Sequence, residues 1–234
     1  MTMPEEINRL VTDSIADIFY TPSESANENL RREGVADESI VFVGNVMIDS
    51  LLESLERLRQ PAIWAAAGLQ QGHYVTLTMH RPATVDDQRS LLDLLSRICG
   101  QSDLPIVFPV HPRTRIVLAQ AAADLPNLIL TEPMSYLEFI YLVKHARGVI
   151  SDSGGVSEET TVLGVPCITL RANTERPETV TQGTNRLVGH DLVLLREAIA
   201  DMLAGRWPKP TIPEKWDGKA AERIAEHLAN GSYA

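Results

Sequence analysis

The stretch Gly148-Val149-Ile150-Ser151-Asp152-Ser153-Gly154-Gly155-Val156-Ser157-Glu158-Glu159 decides the fold. An apolar run ends at a serine and an aspartate. Paired glycines follow, and then a segment that carries Glu158 and Glu159. This reads as a strand over 148–150, a tight turn, and a helix over 155–163. Glycines at such a turn let an anion approach the backbone. The helix start supplies unpaired N–H donors and positive potential. Ser153 adds a hydroxyl donor, and Glu159, further into the helix, suits a pair of ribose hydroxyls. A phosphate cradle and an ordinary glycine turn are both open readings of this segment alone.

The same alternation continues on either side. Upstream, strands are predicted at Tyr74–Thr78, Ile106–Val110 and Leu128–Leu130, with helices over 91–98, 114–123 and 136–145. Downstream come a strand over 166–170 and a helix over 192–203. Before Tyr74, the apolar stripe Ile48, Leu51, Leu52, Leu55 and Leu58 predicts a helix over 47–59. Short strands alternating with amphipathic helices imply an α/β fold, a Rossmann-like parallel sheet with helices on both faces. Residues 1–44 read as helix, strand, helix, strand, too little for a domain of their own, and are expected to be the end of a domain that begins elsewhere. Pro208, Pro210 and Pro213 mark a linker, and a last helix carries Ala221, Ile224, Ala225 and Leu228 on one face.

Composition narrows the function. The 234 residues carry a net charge of -10, with 44% hydrophobic and 22% charged residues. This is a globular composition without the basic face that nucleic acid requires. Cys99 and Cys167 form no disulfide framework, and no Cys/His spacing suggests a metal. No apolar run is long enough to span a bilayer, so a soluble cytoplasmic protein is expected.

In an open α/β sheet, ligands bind at the carboxyl ends of the strands. Besides the glycine turn, further loops there carry candidate chemistry. His80 and Arg81 precede Pro82 and suit phosphate binding or proton transfer, or else a structural hydrogen bond. His111 and Arg113 flank Pro112, and an arginine at a helix start opposes the dipole unless an anion is present. A solvated charge is the other reading there. The loop from Arg171 to Glu178 either grips a phosphate or sugar, or forms internal ion pairs. Phe139 falls on a core stripe with Leu142 and Val143. No P-loop, GxGxxG or nucleophile elbow is present.

Taken in order, several segments resemble the UDP-N-acetylglucosamine 2-epimerase family of the non-hydrolysing bacterial kind. They are Met3–Arg9, Val43-Gly44-Asn45, His80-Arg81-Pro82, Pro109–Arg113, Glu132-Pro133, Tyr136-Leu137, Phe139, Asp152–Gly155, Glu158-Glu159 and Thr174–Glu178. Met134 and Ser135 stand where many members carry a glutamine. The resemblance implies the C-terminal half of a glycosyltransferase-B-type two-domain fold. Residues 1–44 would be a remnant of the N-terminal Rossmann-like domain. Residues 45–210 would be the UDP-binding domain, and 211–234 a linker and a helix packing back towards the first domain.

It further implies that UDP-GlcNAc is inverted at C2 to UDP-ManNAc by elimination and re-addition of UDP, with no cofactor and no metal. By the same resemblance Glu5 and His80 are catalytic. Ser153, Gly154, Gly155, Glu159, Arg81, Phe139 and Asn45 bind substrate. His111 and Arg113 belong to a second nucleotide-sugar site found in some members. A homodimer is implied, with a small-molecule substrate and neither nucleic acid nor membrane as partner. The remaining catalytic carboxylates of the family come from segments this chain does not contain, so the chain is expected to bind UDP and to epimerise poorly alone. A glycosyltransferase of the same architecture and a non-catalytic nucleotide-sugar-binding module are the alternatives.

Overall fold

The computed structural model describes residues 4–80, 88–110, 115, 118 and 124–231. They form two compact units, one of residues 1–52 with 213–234 and one of residues 53–212. The division between them falls after Leu52, inside a helix.

The first unit contains α1 (Pro4–Asp13), β1 (Phe19–Thr21), α2 (Glu24–Arg32), β2 (Ile40–Phe42), most of α3 (Val46–Ser54) and, from the chain's end, the final helix over Ala220–Ala229. β1 and β2 pair in parallel, with Phe19 opposite Ile40 and Thr21 opposite Phe42. Trp216 is buried and donates from Nε1 to Pro22 O at 2.9 Å. Asp49 accepts the Ala220 and Ala221 N–H groups at 3.2 and 2.7 Å. A carboxylate there satisfies donors that a helix start leaves unpaired.

The second unit holds α4 (Ala62–Ala66), β3 (Val75–Thr78), α5 (Gln88–Cys99), β4 (Ile106–Pro109), β5 (Leu128–Thr131), α6 (Tyr136–His145), β6 (Gly148–Ser151), α7 (Gly154–Leu163), β7 (Cys167–Thr169), α8 (Glu178–Thr181), β8 (Asn185–Leu187) and α9 (Leu192–Ala204), which leaves α10 for Ala220–Ala229. Its strands form one six-stranded sheet in the order β5-β4-β3-β6-β7-β8, and every neighbouring pair is parallel. The chain winds outward from β3 to β5, returns to lay β6 against β3, and winds outward again the other way. This is the doubly wound Rossmann order with one reversal point.

The period-two pattern of the strands sorts the core into two layers. Val75, Leu77, Ile106, Phe108, Ile150 and Ile168 face α5 and α9, meeting Leu91, Leu95, Ile98, Leu195, Ala198, Ile199 and Met202. Tyr74 and Val107 pack with Leu142 of α6, while Val149 packs with Val143 of α6 and Val156 of α7. Helices therefore cover both faces, as expected for a parallel sheet.

Several elements differ from the sequence reading. The helix expected over 47–59 stops at Ser54 and continues only as a 3-10 turn over Leu55–Arg57. Pro61 disfavours helical backbone at Gln60, and Leu58 is already extended at ψ 143. α4, α8 and β8 are additional elements. The helix expected over 114–123 lies largely outside the described residues. Among the described residues no helix is long and apolar enough to cross a membrane.

Candidate functional site

The reversal point lies between β3 and β6, and the loops after those strands meet there. His80 follows β3 and Asp152 follows β6. The His80 N–H donates to Asp152 Oδ1 and Oδ2, at 3.2 Å each, and His80 Nδ1 lies 3.0 Å from Oδ1. Asp152 is fully buried, while the imidazole is 61% exposed. The buried carboxylate thus fixes both the backbone and the ring of His80. With Nδ1 occupied, Nε2 is the nitrogen left for a ligand.

Next to this pair lies the glycine turn. Ser151 Oγ accepts the Ser153 N–H at 2.9 Å, which closes the bend. Ser153 is the N-cap of the ten-residue α7, yet its side chain makes no capping hydrogen bond. Neither Gly154 nor Gly155 has a positive φ, so the backbone does not demand glycine at either position. What the glycines provide is space. A Cβ at Gly155 would meet nothing within 4 Å, and one at Gly154 would lie 3.6 Å from Arg171 Nη1. The guanidinium of Arg171 therefore flanks the start of α7. Its side chain is only 9% exposed, and its ion pair is to the exposed Glu175 at 2.9 Å. A helix N-terminus, its dipole and a nearly buried arginine adjoin one space, an arrangement whose chemistry suits an anion.

Further along α7, Glu158 and Glu159 are both buried and have different partners. Glu158 is held by Arg176 Nε. Glu159 receives the phenol of Tyr136 on Oε1 at 2.9 Å. Burial pushes the Glu159 carboxyl up to about 7, the Tyr136 hydrogen bond offsets part of this, and the charge of Glu158 adds to it. A carboxylate so poor in donors is suited to accept from a ligand's hydroxyls.

This has a stability consequence with a definite sign. An acid whose pKa is raised on folding favours the folded state below its unfolded value, 4.5, and opposes it increasingly as the pH rises to about 7. Glu159→Gln is expected to stabilise the protein at pH 8 by on the order of 2 kcal/mol, with the gain vanishing near pH 4.5. Urea unfolding at both pH values checks this, and an equal effect at both would refute it.

Of the expected site residues, His80, Ser153, Gly154, Gly155 and Glu159 lie on the loops and helix that follow β3 and β6. Phe139 is partly buried against Val143, Val149, Val156 and Val165, so it packs in the core as its stripe suggested. Asn45, in the first unit, is buried and accepts the Met47 N–H at 2.9 Å. Its Nδ2 has no hydrogen-bond partner among the described residues. Glu5 lies in α1, but its side chain is outside the described residues, as are Arg81, His111 and Arg113. In the loop from Arg171 to Glu178, the ion pair internal to the loop is Arg171–Glu175, while Arg176 reaches out of the loop to Glu158 of α7. Asp152 as the partner of His80, and Tyr136 as the partner of Glu159, were not read from the sequence. Among the described residues no group of three or more His, Cys, Asp or Glu side chains could hold a metal ion.

The fold is that of a Rossmann-type domain with a glycine turn at the sheet's reversal point. The family model for UDP-N-acetylglucosamine 2-epimerase matches residues 1–229, and the chain belongs to that family. It is 38% identical over 244 residues to a UDP-N-acetylglucosamine 2-epimerase of Methanocaldococcus jannaschii, covering 99% of this chain and 66% of that protein. It is also 38% identical to a UDP-2,3-diacetamido-2,3-dideoxy-D-glucuronate 2-epimerase of Pseudomonas aeruginosa, over 98% of this chain and 64% of that one. The crystal structure of the Methanocaldococcus jannaschii UDP-GlcNAc 2-epimerase with UDP-GlcNAc and UDP superposes with a TM-score of 0.81 at 39% identity, covering 98% of this chain and 65% of that chain. The chain thus spans about two thirds of the length of these relatives.

Proposed function

We propose that the chain provides the UDP-binding part of a UDP-GlcNAc 2-epimerase. The observation that carries this is the open glycine turn at the sheet's reversal point, lined by Arg171 and followed on the same helix by the buried acceptor Glu159. In the reaction, C2 of the sugar loses its proton as the C1–O bond breaks and its electron pair leaves with UDP. Protonation of the resulting 2-acetamidoglucal on the opposite face of C2, and return of UDP to C1, gives UDP-ManNAc.

The group that must be stabilised is the departing diphosphate. The N–H groups of α7, the Ser153 hydroxyl, the Arg171 guanidinium and His80 Nε2 are the donors for it. Glu159 holds the ribose, and Phe139 lies near the uracil. Glu5 is one proton-transfer carboxylate, Asn45 and Arg81 also meet the substrate, and His111 and Arg113 belong to a second nucleotide-sugar site. The protein works in the cytoplasm as a homodimer.

Calorimetry with UDP, paired with turnover assays on UDP-GlcNAc, tests the reading. The chain is expected to bind UDP and to form UDP-ManNAc slowly or not at all by itself. Arg171→Ala is expected to weaken UDP binding by about 30-fold, the loss of a charge-assisted contact. Failure to bind UDP would sink the site. Fast turnover by the chain alone would sink the division of labour, and a glycoside formed from an added acceptor would favour glycosyl transfer.

A further inference from the structure

We propose that Tyr136 is the positioning residue for the ribose-binding carboxylate: its phenol pins Glu159 Oε1 and leaves Oε2 to accept the vicinal hydroxyls of a uridine nucleotide. The inference rests on the UDP reading above and adds to it a residue and a source of sugar specificity.

The geometry is specific. Glu159 lies inside the layer formed by α6 and α7, at 5% exposure. Its neighbour Glu158 is held by Arg176, and among the described residues no ion pair to Glu159 is found. The group that orients Glu159 is a neutral hydroxyl on the first residue of α6. That helix start is itself fixed by a capping box. Ser135 Oγ and Ser135 N–H both donate to Glu138 Oε2, at 2.6 and 3.1 Å. One turn further along α6, Phe139 packs against the apolar cluster that joins Val143 of α6 and Val156 of α7.

Tyr136 as a whole is 41% exposed, yet its polar tip is directed to a buried oxygen rather than left in water. A solvated surface tyrosine would place its hydroxyl the other way round. A rigid ring with few torsions is also an economical way to hold a carboxylate in one rotamer, since little conformational freedom is lost on ordering it. No hydrogen bond to Glu159 Oε2 is found among the described residues, and a carboxylate oxygen offers two lone pairs, matching two adjacent hydroxyls.

Among the described residues, the charged or titratable groups facing this carboxylate are Tyr136 from α6 and Glu158 from α7, the latter with Arg176 bound to it. The phenol favours the ionised form of Glu159, the form that can accept from two hydroxyls. Removing it should therefore weaken ribose recognition twice, through lost alignment and through easier protonation.

The test is calorimetric titration of the chain with UDP and with 2′-deoxy-UDP, on wild type, Tyr136→Phe, Glu159→Gln and the double variant, from pH 5.5 to 8. The terminal phosphate of either ligand titrates in the same range, so the UDP to deoxy-UDP ratio isolates the ribose contact. Wild type is expected to prefer UDP by roughly tenfold or more at pH 8, the scale of a hydrogen bond to a charged group. Tyr136→Phe should reduce that preference several-fold, move the pH at which it fades upward, and add nothing further to Glu159→Gln. If Tyr136→Phe lowers the melting temperature but leaves the ratio and its pH profile unchanged, Tyr136 is merely structural and the inference falls while the UDP site stands. Additive effects in the double variant would overturn it as well. If wild type binds UDP without preferring the ribose, the inference falls. If it does not bind UDP, the underlying reading falls with it.

Discussion

Gly155→Asp is expected to leave the fold as stable as before or more so, and to weaken UDP binding by 100-fold or more. The two effects have opposite signs because one position answers to two demands. Gly155 is the second residue of α7, at an ordinary φ, and a Cβ there would meet nothing within 4 Å. For the helix, replacing glycine removes a backbone-entropy cost, and a carboxylate in the first turn interacts favourably with the dipole. Together these contribute about 0.5–1 kcal/mol, or roughly 2–4 °C in melting temperature for a chain of this size.

For the ligand, the same carboxylate occupies the anion's place and repels it. Two unit charges about 4 Å apart at an effective dielectric near 20 interact by about 4 kcal/mol before salt screening, which leaves ample room for a 100-fold loss. Gly155→Ala, which adds a methyl without charge, is expected to stabilise similarly and to weaken UDP only modestly. Melting curves and UDP titrations on the same samples decide the matter. If Gly155→Asp binds UDP as wild type does, the glycine turn is not where the diphosphate sits.

Much of this site can be read along the chain, because its parts are local. The strand, the turn, the paired glycines and Glu159 lie within one strand–helix unit, and their relation follows from periodicity and helix geometry. His80 could be singled out because it ends an apolar strand. What could not be read is who sits beside whom. His80 and Asp152 meet only because β6 inserts next to β3 rather than extending the sheet beyond β5, and that choice is made by the packing of whole elements. Tyr136 finds Glu159 because α6 and α7 share one face, which again is a property of the assembled sheet.

β8 was missed for another reason. Asn185-Arg186-Leu187 has neither an apolar run nor an alternating pattern of useful length, and is a strand because Asn185 pairs with Cys167 and accepts from Thr169 Oγ1 at 2.6 Å. For the His80 pairing the available hint was a charged residue, Asp152, directly after an otherwise apolar strand. A carboxylate held at that depth needs partners, and His80 is one of them.

The largest expected effect on stability falls in the first unit, at Gly44→Ala. Gly44 links β2 to α3 at φ +95, where a side chain is strained whatever the surroundings. The surroundings are also closed. A Cβ would lie 2.0 Å from Lys215 O and 2.9 Å from Lys215 C, so backbone would have to move. Lys215 is poorly placed to give way. It is itself at φ 59, its Nζ donates to Phe42 O at 2.8 Å and lies 4.3 Å from the centre of the Phe42 ring. The next residue, Trp216, is anchored in the core of the unit through Pro22.

Relief by sliding the 213–218 segment would therefore cost the contacts that join the chain's end to β1 and β2. Backbone strain of about 1–2 kcal/mol and overpacking of about 1–3 kcal/mol act together, so a loss of about 4 kcal/mol is expected. Because the chain has two compact units, the cleanest readout is local. Amide exchange over 40–52 and 213–229 should speed up by more than 100-fold in the variant. Wild-type protection in those segments would mean that the Gly44–Lys215 approach is not a fixed feature of the fold, and the tie between β2 and the C-terminal segment would have to be sought elsewhere.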